Sequence, residues 1–147
     1  MKKIKNGFSM VELLFVMAIM AALAAIAIPS LSAGSDSATL TSMKSDAQNT
    51  ITTLQSAYVD TQDYTQVSPA AQTDYEDTTG DGFADTNTLT SGQNLALSKG
   101  NVVTITTGTV DQNGNASNDC FTISVANPKL AKTVDFDSCN DGKIQVN

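Results

Sequence analysis

Apolar residues run almost without a break from Phe8 to Ile28, interrupted only by Ser9 and Glu12. At a helical rise of about 1.5 Å per residue this stretch spans roughly 30 Å, the thickness of a bilayer's hydrocarbon core. Further on the pattern changes. Leu40, Met43, Ala47, Ile51, Leu54 and Tyr58 recur at helical spacing, with Ser, Thr, Gln, Asn and Lys44 between them. That spacing predicts an amphipathic helix over roughly Ser35–Thr61, with one narrow apolar stripe. Pro29 at the junction has no N–H and should kink or loosen the helix, and Gly34 is a second weak point. A stripe this narrow needs a sheet to pack against.

Residues 62–100 read as loop, punctuated by Pro69, Gly80, Gly82, Gly92 and Gly100, with a short helix starting near Ser91. Alternating β-branched positions then predict strands at Val102–Val110, Cys120–Val125, Val134–Phe136 and Lys143–Val146. The first of these ends in a turn at Asp111-Gln112-Asn113-Gly114. The expected fold class is α+β: a long N-terminal helix, apolar in its first half, packed through its second half on a three- or four-stranded antiparallel sheet. The expected divisions are a basic leader (1–7), an apolar helix (8–28), its amphipathic continuation (29–61) and a globular head (62–147). Within the head, 62–100 is loop and 101–147 carries the sheet.

Composition narrows the chemistry. The chain has no His, Arg or Trp. A Ser-His-Asp or Cys-His catalytic set, a His-ligated metal and an Arg clamp on phosphate are therefore excluded. No glycine-rich phosphate loop is present either, and no enzyme is expected. The formal net charge is −7. Three of the lysines, Lys2, Lys3 and Lys5, precede the apolar run, so the body beyond it is more acidic still. Such a surface repels nucleic acid phosphate, and direct nucleic acid binding by the bulk surface is not expected.

The basic prefix Lys2-Lys3-Ile4-Lys5-Asn6-Gly7 holds the start of the apolar run on the cytoplasmic side, so the polar remainder goes out. The run is too long for the core of a secretory signal peptide, and the sharp break in chemistry falls before it, between Gly7 and Phe8. Glu12 is the anomaly. An ionised carboxylate deep in a bilayer costs roughly 3 kcal/mol on insertion scales. It has two readings. Either it pairs with an amine created by cleavage before Phe8, on its own or a neighbouring chain, or it lies near the interface and snorkels to water.

Gly7-Phe8-Ser9-Met10-Val11-Glu12-Leu13-Leu14, followed by Ala24-Ala25-Ile26-Ala27-Ile28-Pro29, resembles the processing site and N-terminal helix of type IV pilins. The resemblance is close over about residues 1–58 and loose beyond; Met10-Val11 ahead of the Glu is a mild departure. It implies a prepilin cut after Gly7 by a dedicated membrane peptidase and methylated on the Phe8 amine. It further implies assembly with copies of itself into a helical filament, through Glu12 and a helix loosened at Pro29, with the help of pilus assembly machinery. The subunit would wait in the inner membrane and end in an extracellular pilus. The implied function is structural, supporting adhesion, surface (twitching) motility and DNA uptake through other proteins. The alternative is a pseudopilin of a type II secretion system, which the N-terminus does not separate from a pilin.

Two further features bear on that choice. Cys120 and Cys139 are the only cysteines, and in an oxidising compartment they read as a disulfide. The resemblance to pilins implies the same bridge, bounding an exposed segment at Phe121–Ser138, and favours the pilus. Asp77, Thr79, Asp81 and Asp85 fall at positions 1, 3, 5 and 9 of a calcium-loop spacing, with Gly82 at the sharp turn and the Phe83 carbonyl at position 7. Thr79 at position 3 and Thr88 at position 12 depart from that pattern, so a further carboxylate, Asp74 or Glu76, would be needed. A plain acidic turn explains the same residues, and calcium as a cofactor stays an open alternative to it. Pseudopilins often use calcium where pilins use a disulfide.

Overall fold

A computed structural model describes residues 8–68, 72–109, 111, 113–115 and 117–147 of the chain, with the side chains of 28–33 left aside. The leader with Gly7, and the Pro29 ring, lie outside what is described. Helix α1 runs Met10–Thr61, followed by a single 3-10 turn at Tyr64–Gln66. The strands are β1 (Gln72–Glu76), β2 (Val102–Thr107), β3 (Phe121–Ala126), β4 (Thr133–Asp137) and β5 (Ile144–Val146). They form one antiparallel sheet in the order β1-β2-β3-β4-β5. The chain divides into two compact units, one up to Ser37 and one from Ala38.

In the second unit, period-2 alternation gives the sheet an apolar inner face. The register lines up Tyr75, Val103, Val125 and Val134 across four strands, and Thr73, Ile105, Ile123 and Phe136 beside them. Met43, Ala47, Leu54 and Ala57 of α1 share one buried cluster with Tyr75, Val103, Ile105, Ile123, Val125 and Val134, and Leu40, Ile51, Tyr58 and Phe136 pack against it partly buried. The predicted stripe is thus the core face. It is wider than its apolar residues alone suggest, because Asp46 and Thr50 are buried with it. The Asp46 carboxylate accepts from Ser98 N–H (2.9 Å), Ser98 Oγ (3.0 Å) and Asn101 Nδ2 (2.7 Å). Asn101 Oδ1 in turn accepts from Asn127 Nδ2 at 2.6 Å. A buried carboxylate is tolerated only with its oxygens satisfied, and these bonds fasten the helix to the end of the β2–β3 pair where Val102 faces Ala126.

The connection read as loop over 62–100 needs correction. It contains β1, a fifth strand, which completes a sheet expected to have three or four. Only Thr73 and Tyr75 of β1 face inward, too short an alternation to stand out from its polar neighbours. Its outer edge is closed by the segment that follows: Asp85 N–H donates to the Glu76 carbonyl (2.9 Å), Thr86 Oγ1 accepts from Glu76 N–H (3.0 Å), and Asn87 Nδ2 donates to the Asp74 carbonyl (2.8 Å). Further along, Phe83 and Ala96 form an isolated bridge, and Leu89, Leu95 and Leu97 are buried. Ser91 lies in a turn, not a helix: Gly92 N–H donates to the Leu89 carbonyl, and Gly92 has φ +77°, a backbone that ends a helix instead of starting one. The strand expected to reach Val110 stops at Thr107.

Candidate functional site

In the first unit, Phe8 and Ser9 lie outside the helix and Met10 opens it. Ser9 Oγ accepts from Val11 N–H at 3.3 Å, and Glu12 Oε2 accepts from Ser9 N–H at 3.0 Å. The Ser9 carbonyl receives the first helical bond, from Leu13 N–H. This is a capping-box arrangement with Ser9 as N-cap, its hydroxyl on the second helical N–H, and Glu12, at the third helical position, reaching back to the Ser9 N–H. Its signature in the sequence is Ser-x-x-Glu ahead of an apolar run, Ser9 to Glu12, a signal separate from the charge of Glu12. From Met10 to Ala27 the helix is long and apolar enough to cross a membrane, and its side chains are exposed. Met10 and Ile26 are 84% and 72% exposed, which in water alone would be unfavourable.

In the second unit, the acidic loop follows β1. Asp77 is buried, and its carboxylate accepts from the N–H groups of Gly80 and Gly82. Asp81 Oδ1 accepts from Phe83 N–H at 3.0 Å. Asp85 Oδ2 accepts from Thr79 N–H, Thr78 N–H and Thr78 Oγ1, each at 2.8 Å. The Thr79 N–H first, then the Thr78 hydroxyl, hold the Asp85 carboxyl below the usual carboxylate range. Gly80 and Gly82 adopt φ +87° and +91°, the left-handed backbone that turns the loop over these carboxylates.

The loop brings one carboxylate oxygen each of Asp77, Asp81 and Asp85 within 4.8 Å of one another. Three anionic oxygens in such a cluster suit a hard divalent cation. The remaining expected ligands fare differently. Thr79 Oγ1 leans toward Asp85 at 3.4 Å. Asp74 Oδ1 accepts from Thr104 Oγ1 at 2.7 Å, so that carboxylate is engaged on the sheet. Lys99 approaches the same loop, its Nζ 3.3 Å from the Thr79 carbonyl.

Cys120 and Cys139 are joined as a disulfide, with Cα atoms 5.5 Å apart. The bond closes the segment carrying β3 and β4, and Ser138 Oγ accepts from Phe121 N–H (2.8 Å) beside it. A closure of this length constrains the unfolded chain by about 3 kcal/mol in the chain-entropy account.

Residues 2–28 match the family model described as the prokaryotic N-terminal methylation motif, the signature of type IV pilins and prepilins. No curated protein and no solved structure matches the chain. The motif supports a type IV pilin-like or pseudopilin protein, a structural class whose members are cut by prepilin peptidase and assemble into filaments. The motif and the exposed apolar helix together fit a membrane-anchored prepilin.

Proposed function

We propose that this chain is the main structural subunit of a type IV pilus. In this reading the leader is removed between Gly7 and Phe8, the Phe8 amine is methylated, and the subunit is held in the inner membrane by its apolar helix. Assembly machinery then extracts it into an extracellular filament, with the apolar helices in the filament core and the sheet and loops outward. Pro29 is the position at which the helix would give during packing. Adhesion, surface motility and assistance to DNA uptake would follow from the filament's mechanics. The observation that carries the reading is the methylation motif at residues 2–28, continuous with an apolar helix whose described side chains, Met10 to Ala27, are exposed. The disulfide across β3 and β4 favours a pilus over a secretion pseudopilus. The test is electron microscopy of filaments sheared from cells expressing the chain, with mass spectrometry of their subunit. Filaments whose subunit begins at methylated Phe8 support the reading; a subunit retaining Met1 overturns it, and the same mature subunit without surface filaments favours the pseudopilin.

The convergence of Asp77, Asp81 and Asp85 supports a second element: a calcium ion in the acidic loop. An ion bound by the native state alone stabilises it by about 2.7 kcal/mol at a concentration a hundredfold above its dissociation constant. For a folded unit of this size that is a rise of roughly 10 °C in melting temperature. Thermal unfolding of the chain in detergent should show that rise with millimolar calcium, reversal by chelator, and no response in Asp81→Ala. Titration calorimetry without a binding heat would leave these residues as an acidic turn.

A further inference from the structure

The capping box gives Glu12 a partner inside its own chain, and that bears on how a carboxylate can lie in an apolar segment. Glu12 sits in the first turn of α1, where the unpaired N–H groups and the aligned peptide dipoles favour negative charge. Its Oε2 is held by the N–H of Ser9, the residue next to Phe8. Ser9 also supplies the hydroxyl that accepts from Val11 N–H. A helix start at Met10 and a carboxylate turned back toward the chain start are therefore one arrangement.

We propose that Ser9 is the positioning residue for Glu12. By capping α1 it ends the helix short of Phe8 and turns the carboxylate toward the end of the chain where cleavage would create the Phe8 amine. The charge is then met by hydrogen bonding and the helix end before any second subunit is present. This proposal deepens the filament reading, on which only its consequence for assembly rests; the local arrangement is measurable without filaments.

Two side chains of nearly one shape separate the hydroxyl from the bulk. Ser9→Thr keeps an N-cap oxygen, and Ser9→Val replaces it with a methyl group. Hydrogen exchange of the full chain in detergent micelles should show the Val11 amide losing about fivefold of its protection in Ser9→Val and retaining it in Ser9→Thr, the size expected for one cap. The Ser9 amide should lose protection in Glu12→Ala and keep most of it in Glu12→Gln, whose amide oxygen still accepts. In cells, filament yield should fall several-fold in Ser9→Val and recover in Ser9→Thr, with the amount of membrane-held subunit unchanged. If Val11 exchanges alike in Ser9→Val and wild type, or the Ser9 amide is indifferent to Glu12→Ala, the positioning role is wrong. If both exchange results hold but Ser9→Val assembles normally, the claim that the box prepares Glu12 for assembly is overturned. If wild type itself forms no filament, it is the pilus reading that fails.

Discussion

Gly7→Val is expected to leave the chain uncut, with the precursor accumulating in the membrane and no filament formed. The reason is access at the cleavage point. Position 7 is the last residue before Phe8, and a peptidase that cuts there must bring its catalytic groups against the backbone of both. Glycine offers no side chain to obstruct that approach, whereas a β-branched valine adds bulk and restricts the backbone. The apolar run is unchanged by the substitution, so insertion should proceed normally and the defect should be confined to processing. Mass spectrometry of membrane fractions separates the outcomes. Wild type should give a chain beginning at Phe8, and Gly7→Val a chain retaining the basic leader. A Gly7→Val subunit that still begins at Phe8 would show the glycine to be dispensable and the access argument wrong, and a wild-type subunit beginning elsewhere would remove the basis for a methylated Phe8.

The elements whose burial repeats over several turns were legible before the structure was known. The stripe from Leu40 to Tyr58 rests on six apolar positions of one period, and the alternation in β2, β3 and β4 on inward pairs or triplets of large apolar residues: Val103 and Ile105, Phe121, Ile123 and Val125, Val134 and Phe136. β1 was not legible, because its inward positions are Thr73 and Tyr75 and its remaining residues are polar. Its place depends on pairing with β2 and on the closure of its edge by residues that follow it in sequence, which are not local signals. The burial of Asp46 was hidden for a similar reason. A carboxylate on the polar side of a helical pattern reads as solvated, and only Ser98 and Asn101, brought in from the β2 side, make it a core residue. In the acidic loop the spacing pointed to Asp77, Asp81 and Asp85, and the structure brings those three together. The engagement of Asp74 with Thr104 follows from the β1–β2 register and was beyond reach of the spacing alone.

Glu12→Ala should leave a mature subunit in the membrane and abolish filaments. Replacing a carboxylate by a methyl group makes the apolar segment easier to insert, by roughly 3 kcal/mol on insertion scales. The lost bond to Ser9 N–H costs less than this, since alanine is a strong helix former and the Ser9 hydroxyl still caps Val11 N–H. Membrane insertion and cleavage should therefore survive or improve. Assembly is different, because in the proposed filament each entering subunit would bring a Phe8 amine into a low-dielectric helix bundle. An amine there without a counter-charge carries a desolvation cost of several kcal/mol, and attraction between amine and carboxylate offsets part of it. The pair's larger effect is on register: a subunit would be drawn to the axial offset that neutralises the previous one. Glu12→Gln divides the two roles of this side chain. Its amide oxygen can still accept from Ser9 N–H, so the helix cap is kept while the charge is gone. With charge as the requirement for assembly, Glu12→Gln should fail as Glu12→Ala does, and its Ser9 amide should remain protected. Both variants must be expressed without wild-type subunit, since mixed filaments could carry a neutral minority. A normal filament yield from Glu12→Ala under that condition would show the charge to be dispensable and the pairing argument wrong.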